Sequence, residues 1–359
     1  MPADAARLTI DLDAIAANYR LLRDAAGGAE TAPVVKADGY GMGAGQAALR
    51  LWTQGARTFY VARLAEGEAL RRALGERQAA ILVFDGCPAG AGGRLKASGL
   101  IPVLNSGDQI AAWAGTGEPC ALHVDTGMNR LGLTLAEAAD LAAAPGGLRI
   151  ELLLSHLACA GQPGHALNTR QLERFTTVRR LFPKARASLS SSGGIFLGAD
   201  YHFDQVRPGV ALYGGEPHDN QSARLSPVAL LEAPILQIRD VPAGDSIGYG
   251  ADFVADRPTT VAIVSAGFAD GYLRASSPDG GVWLAGARRR LLGRVSMDLI
   301  AVDVTGADAR PGDPVELIGP HLTLDEAARA ASASAYEFLV RIGQRSRRRW
   351  VGEASAPVA

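Results

Sequence analysis

The sequence has few cysteines, few aromatic residues and almost no net charge. Three cysteines occur in 359 residues, at the widely spaced positions Cys87, Cys120 and Cys159. Their odd number and the lack of a CxxC pair argue against a disulfide framework and a cysteine-ligated zinc site. Aromatic residues make up 6% of the chain, so we expect a core of aliphatic side chains.

The near-zero net charge and the absence of long apolar runs exclude several classes of partner. There are 36 Lys+Arg and 37 Asp+Glu, a net charge of −1, which creates no field to attract nucleic acid or an anionic membrane. No run approaches about 18 apolar residues, and the N-terminus lacks the pattern of a signal peptide. We therefore expect a cytoplasmic protein that binds neither nucleic acid nor membranes.

Glycine and proline are abundant, and the first half of the chain is rhythmic. The 43 Gly and 19 Pro indicate many short elements joined by tight turns, and the length suggests about two domains. Apolar runs alternate with segments of helical period, such as 45–54, 64–74, 134–144 and 168–182. The apolar runs number eight: 33–37, 58–62, 80–84, 101–104, 121–125, 150–156, 187–191 and 205–214.

Continuous apolar runs are typical of parallel strands buried on both faces. Eight of them alternating with helices predict an α/β fold, an N-terminal (β/α)8 TIM-type barrel over residues 1–222. A doubly wound open sheet is the alternative.

The second half, residues 223–359, predicts a mostly β C-terminal domain. Its β-like runs are separated by Gly/Pro turns rather than helices, at 233–241, 259–267, 281–304 and 313–319. One helix is expected at 322–332, with Thr323 as N-cap. Residues 1–10 could pair with this domain rather than with the barrel.

Polar residues follow several of the predicted barrel strands, where the active sites of barrel enzymes lie. They include Lys36 with a Gly-rich loop, Arg130, the Ser155–His156 pair, the hydroxyl and glycine run 190–194, and Arg207–Gly209. Taken singly, each has an ordinary structural explanation. Together they place a lysine, which can form an imine, opposite a phosphate cradle. A phosphorylated aldehyde such as pyridoxal 5′-phosphate requires that arrangement.

An ordered set of motifs resembles the alanine racemases, a pyridoxal-phosphate-dependent family of fold type III. The motifs span nearly the whole chain: VVKADGYGMGA (34–44), HVDTGMNRLG (123–132), LLSHLA (153–158), VRPGVALYG (206–214), SIGYGADF (246–253), GFADGYLR (267–274), GRVSMDLIAVDV (293–304) and SAYEFLVRIGQRSRRRW (334–350). The resemblance implies a barrel followed by a β domain, and a racemase that interconverts L- and D-alanine.

The resemblance also implies a role for each matched residue. Lys36 would form the Schiff base with pyridoxal phosphate and act as the base on one face of the substrate. Tyr249, supplied by the second subunit of a homodimer, would be the base on the other face. Arg207 would face the pyridine nitrogen, with His156 as its neighbour.

The remaining matched residues are expected to bind the two anionic groups. The cofactor phosphate would be held by Tyr40, Ser192, the backbone N–H groups of Gly209 and Val210, and Tyr336. Arg130 and the backbone N–H of Met297 would hold the substrate carboxylate, and Asp298 would lie near the site mouth.

Some positions depart from the family pattern. His123 stands where many members carry a lysine, often carbamylated, that orients the arginine matching Arg130. Ser191 replaces an asparagine. Phe268 replaces a tyrosine of the substrate funnel, and Ser334 and Gly161 replace an aliphatic residue and an acid. These changes leave open whether alanine is the sole substrate or serine and other small amino acids are also accepted.

Other readings remain open from the sequence. A fold-type-III amino-acid decarboxylase also joins a barrel to a β domain, but it relies on a cysteine in its C-terminal half, where this chain has none. A non-enzymatic pyridoxal-phosphate-binding barrel lacks a second domain. A metal-assisted D-amino-acid aldolase or dehydratase would need a His/Cys pair near the C-terminus. The choice between D-alanine supply for the cell wall and catabolism is also open.

Overall fold

Eight short parallel strands form a ring in the first half of the chain. The computed structural model describes residues 5–218 and 224–353. With strands numbered in chain order, the ring consists of β2 (Glu30–Thr31), β3 (Thr58–Val61), β4 (Ala80–Val83), β5 (Leu100–Leu104), β6 (Pro119–His123), β7 (Arg149–Leu154), β8 (Arg186–Ser188) and β9 (Gln205–Val206). Six of these, β3 to β8, form one parallel sheet in sequence order, and β2 pairs with β9.

Two further contacts close the ring. A parallel bridge between Val34 and Tyr60 joins the chain after β2 to β3, and one between Ser191 and Arg207 joins the chains that follow β8 and β9. The predicted (β/α)8 barrel is confirmed, and the open doubly wound sheet is wrong, because an open sheet would leave two edges.

Helices follow the strands, and their limits are set by local capping. They are α1 (Leu12–Ala25), α2 (Lys36–Tyr40), α3 (Ala44–Thr53), α4 (Leu64–Leu74), α5 (Gly92–Ala97), α6 (Gly107–Trp113), α7 (Leu135–Ala143), α8 (Ala166–Arg179) and α9 (Ser192–Ile195). At α7, the Thr134 hydroxyl accepts from the Glu137 N–H while the Glu137 carboxylate accepts from the Thr134 N–H. Such a capping box satisfies donors that a helix start leaves unpaired.

The chain around Lys36 differs from the predicted strand at 33–37. The extended chain ends before Lys36, which begins the short segment α2. Ala37, Asp38 and Gly39 have φ between 52° and 62° and ψ between 44° and 49°, so they form a left-handed turn. The apolar composition does not reveal where the extended chain ends, because Val34 and Val35 would be equally apolar in a strand that continued past Lys36.

The second half forms a mostly β unit around its own sheet. Its strands are β1 (Arg7–Asp11), β10 (Ala229–Val241), β11 (Ser246–Ile247), β12 (Phe253–Val254), β13 (Thr259–Val264), β14 (Gly281–Leu284), β15 (Ala287–Arg290), β16 (Ile300–Asp303), β17 (Pro314–Ile318) and β18 (Arg347–Val351). The order is β15–β14–β17–β10–β1–β18, and β13 pairs with both β10 and β16. The N-terminal strand β1 lies between β10 and β18.

The long β-like run at 281–304 is three strands rather than one. It reverses at Ala285 and Gly286, whose φ values of 50° and 73° suit a two-residue hairpin loop. Two helices complete the unit, α10 (Leu324–Ala330) and α11 (Ala335–Arg341). The Thr323 side chain caps α10 as predicted.

Contacts divide the chain into two compact units. One contains Ile15–Leu212, and the other contains β1 and Ser226–Gly352. The predicted boundary between residues 222 and 223 lies outside the described residues. Within the described residues, no helix is long and apolar enough to span a membrane.

Candidate active site

Lys36 lies half-buried where the chain leaves the barrel ring. Its Nζ is 6.0 Å from the centre of the Phe84 ring, which follows β4. Burial lowers the pKa of Lys36, and the positive charge of Arg130 lowers it further, while Glu66 and Asp85 act in the opposite direction. A lysine amine in these surroundings loses its proton more easily than a solvated one, as an imine-forming amine requires.

Two imidazoles share this region with three cations. Burial and the charges of Arg207, Arg130 and Lys36 lower the pKa of His156 to about 3. Burial, Arg207 and Arg130 likewise lower the pKa of His123 to about 4, although Asp125 opposes the shift. Both rings are therefore neutral at physiological pH. The structure thus brings Lys36, Arg130, His156 and Arg207 together, and the group is electropositive.

Arg207 is buried without an acidic partner in the described part of the chain. Its side chain is 2% exposed and donates to the Ser188 hydroxyl and the Ser155 carbonyl oxygen. Neutral acceptors alone compensate a buried guanidinium poorly. The site therefore suits a ligand that brings an acceptor or negative charge to Arg207.

A compact group of small and hydroxyl residues lies nearby. The Ser192 hydroxyl accepts from the backbone N–H groups of Gly209, at 2.9 Å, and Ala211. A Cβ at Gly209 would overlap the Tyr40 hydroxyl, so Tyr40, Ser192 and Gly209 meet. Val210 begins a 3-10 turn directly after Gly209. Backbone N–H groups and hydroxyls in such a cradle can bind a phosphate.

Sequence reasoning missed Asn105, which holds His123. The Asn105 amide nitrogen donates to the carbonyl oxygens of Phe84 and Val103, at 2.8 and 2.7 Å. Its Oδ1 is therefore the atom 2.8 Å from His123 Nδ1, and that nitrogen carries the imidazole proton. Asn105 follows β5, so the rule of reading strand ends could have found it.

Two aromatic residues were also missed, and they link Lys36 to Arg207. Tyr60 and Phe84 stack with ring centres 4.9 Å apart. The Arg207 guanidinium lies 6.0 Å from the centre of the Tyr60 ring, and the Tyr60 hydroxyl donates to Gln205. Both residues lie in predicted strands, Tyr60 within 58–62 and Phe84 at the end of 80–84, but neither was singled out as a site residue.

The other predicted site residues belong to the β unit. Tyr249 lies in a turn between Gly248 and Gly250, both with positive φ, and is 72% exposed. Met297 is exposed, and its carbonyl oxygen accepts from the Ala269 N–H. Tyr336 is in the first turn of α11.

Two more residues of this unit have structural partners. The Asp298 carboxylate pairs with Arg345 at 2.6 Å, and Arg345 also binds the buried Asp270. Ser334 caps α11, since its side chain accepts from the Glu337 N–H. Phe268 is exposed.

Comparison with known proteins identifies the family. The profile of the alanine racemase N-terminal domain matches residues 10–217, and that of the C-terminal domain matches residues 228–350. The chain belongs to the alanine racemase family. An alanine racemase of Methylobacterium nodulans is 47% identical, covering 98% of this chain and 97% of its own length. A catabolic alanine racemase of Mesorhizobium japonicum is 45% identical over 98% of this chain and 94% of its own.

Solved structures of the family have the same fold. The alanine racemase of Bartonella henselae, crystallised with covalently bound pyridoxal phosphate, superposes with a TM-score of 0.92 at 39% identity. The match covers 97% of this chain and 99% of that one. The biosynthetic alanine racemase of Pseudomonas aeruginosa gives 0.90 at 37% identity, over 97% and 100% of the two chains.

Proposed function

We propose that this chain is a pyridoxal-phosphate-dependent racemase that interconverts L- and D-alanine. The observation that carries the proposal is the half-buried Lys36 beside an electropositive group, in a chain that belongs to this family over nearly its whole length. The close relatives include alanine racemases named as catabolic and as biosynthetic.

The residues of the barrel unit fit the cofactor. Lys36 would bind its aldehyde carbon, and Arg207, which lacks an acidic partner among the described residues, would donate to the pyridine nitrogen. The cradle of Tyr40, Ser192 and Gly209 would hold the phosphate, together with the Val210 N–H. From the β unit, the family resemblance adds Tyr336 as a further phosphate ligand. When bound, pyridoxal phosphate withdraws electrons and so acidifies the Cα–H bond of an attached amino acid.

Racemisation needs a proton removed from one face of Cα and another delivered to the opposite face. We assign Lys36 as the base on one face, because burial and Arg130 make its neutral amine accessible. We assign Tyr249 as the base on the other. Arg207 stays charged, so it would donate a hydrogen bond to the ring nitrogen of the bound cofactor without transferring a proton.

Substrate binding would rest on Arg130 and the Met297 N–H, which would hold the carboxylate, with Asp298 near the mouth. Because 72% of Tyr249 is exposed in the single chain, we infer that it completes the site of a second subunit in a homodimer. We place the enzyme in the cytoplasm.

The function is tested by removing the Lys36 amine. Lys36→Ala should abolish the conversion of L-alanine to D-alanine, measured by chiral chromatography. The exposed Lys96 provides the matched control, and Lys96→Ala should keep full activity. In deuterium oxide, the wild type should place deuterium at Cα of both enantiomers. Racemisation by Lys36→Ala at an undiminished rate would overturn the proposal.

A further inference from the structure

The turn after Lys36 has a conformation that its residues do not favour. Ala37, Asp38 and Tyr40 have φ of 52°, 53° and 56°, in a region that non-glycine residues rarely adopt. Such strain persists where surrounding contacts hold it, often at functional sites. The contacts that hold this turn therefore control where the Lys36 side chain begins.

Glu66, in the first turn of α4, makes one of these contacts. Its Oε1 accepts from the Ala37 N–H at 2.9 Å. Its Oε2 accepts from the N–H groups of Ala62 and Arg63, at 2.8 and 3.2 Å. One carboxylate thus links the residue after Lys36 to the end of β3 and the start of α4.

The charge of Glu66 also acts on Lys36. In the described part of the chain its carboxylate binds backbone N–H groups and pairs with no arginine or lysine. The charged groups that act on Lys36 are Arg130, Glu66 and Asp85, with the neutral His156 nearby. Asp85 lies 4.0 Å from Arg63, whose charge screens it. Glu66 therefore supplies the main negative charge that opposes Arg130 at the Lys36 amine.

We propose that Glu66 is a positioning residue for Lys36. One carboxylate oxygen fixes the left-handed turn that directs the lysine toward Phe84, and the negative charge opposes that of Arg130 at the lysine amine. This inference rests on the proposed role of Lys36 as the cofactor-binding amine, but its primary measurement does not depend on racemisation.

The chain offers a direct measurement because it has three lysines: Lys36, Lys96 and Lys184. In the full-length protein freed of cofactor, reductive ¹³C-methylation gives one dimethyl-lysine signal for each. In a Lys96→Arg/Lys184→Arg background Lys36 gives the one dimethyl-lysine signal, which is told from the signal of the N-terminal amine by its loss in Lys36→Arg, and its NMR titration reports the Lys36 pKa. Fluorescence titration with pyridoxal phosphate gives the dissociation constant of the cofactor.

The two functions of Glu66 are separable by substitution. Glu66→Gln removes the charge but keeps an acceptor for the Ala37 N–H, so it should lower the Lys36 pKa while changing cofactor affinity less than threefold. Glu66→Ala should lower the pKa and also weaken cofactor binding about tenfold, through loss of a charge-assisted hydrogen bond. The control is Glu68→Gln on the same helix, where the carboxylate pairs with Arg94, and it should change neither quantity.

An unchanged Lys36 pKa in Glu66→Gln, or an equal shift in Glu68→Gln, would overturn the inference. If Glu66→Ala does not fold, the glutamine variant decides. A wild-type chain that fails to racemise alanine while its Lys36 still responds to Glu66 would refute the proposed function and leave the positioning role intact.

Discussion

At the residue scale, the site consists of cations around two imidazoles that stay neutral. Arg207 and Arg130 depress the pKa values of both His123 and His156. Asn105 determines which His123 nitrogen carries the proton, so Nε2 is left as an acceptor. A neutral acceptor among guanidinium groups can orient them without adding a further charge, and this suits a site that receives anionic ligands.

The two histidines predict a pH-dependent stability. Their folded-state pKa values, about 4 and about 3, lie below the usual 6.5. Below pH 6.5 the unfolded chain therefore binds protons that the folded chain does not. Stability should fall as the pH drops from about 6.5 to 5, by up to about 1.4 kcal/mol per pH unit for each histidine. Urea denaturation of the cofactor-free protein across this range measures the slope.

Variants separate this effect from general acid denaturation. Replacing His156 with Gln should remove about half of the slope in that window. His321 pairs with Glu316 near the start of α10, so His321→Gln is a control on another part of the chain and should leave the contribution of His156 in place. A slope unaffected by His156→Gln would show that this imidazole is protonated in the folded state.

At the element scale, function depends on where strands stop and what the following turn allows. Lys36 follows extended chain whose last pairing is the bridge at Val34, and the next residues turn left-handed. Ser192 and Gly209 follow β8 and β9 and approach each other because these strands are neighbours. The carboxyl ends of the parallel strands lie at the same rim of the barrel, so residues that are far apart in sequence form one cradle.

Gly209 is predicted to be required for close packing in this cradle. In Gly209→Ala, the added methyl group would displace the buried Tyr40 hydroxyl. Pyridoxal-phosphate affinity should therefore fall about tenfold or more, equivalent to at least about 1.4 kcal/mol, as measured by fluorescence titration. Gly107, in the first turn of α6, has nothing within 4 Å of its added Cβ. Gly107→Ala should bind the cofactor normally, and equal affinities in all three proteins would contradict the packing argument.

At the scale of the whole molecule, the residues proposed for function are divided between the two units of the chain. Lys36, Arg130 and Arg207 belong to the barrel, whereas Tyr249 and Met297 belong to the β unit and are exposed by 72% and 56%. Exposed aromatic and apolar side chains often mark an interaction surface. This agrees with the proposal that a second copy of the chain receives Tyr249.

Subunit mixing tests the shared site. Lys36→Ala and Tyr249→Phe chains should each be inactive alone, but a hybrid dimer contains one site with both residues intact. Refolding the two variants together should restore activity to about a quarter of the sites in a random mixture. Co-refolding Lys36→Ala with a Lys36→Ala/Tyr249→Phe chain is the control and should give none. Absence of rescue, with hybrid dimers shown by mass spectrometry, would refute sharing.

Much of this architecture could be predicted from the chain alone. Continuous apolar runs determined the number of barrel strands, because strands covered on both faces need apolar side chains at every position. Local signals were equally reliable at Thr323, where a hydroxyl and a glutamate three residues on can satisfy each other without distant help. The motifs identified the family for the same reason: each is a short continuous segment.

Only the tertiary structure decided how the site residues act on one another. Tyr60 and Glu66 carry no local mark of function, because their importance comes from contacts with Arg207 and Ala37, which are distant in sequence. Asn105 has only its place after β5 as a signal, since its role depends on His123. The left-handed turn after Lys36 was likewise hidden, since non-glycine residues adopt it only when surrounding contacts hold it. The sequence by itself thus determined the helices and strands, the family and the reactive side chains available to the site. Folding decided the protonation and placement of those groups, because burial and neighbouring charge exist only once the strands meet.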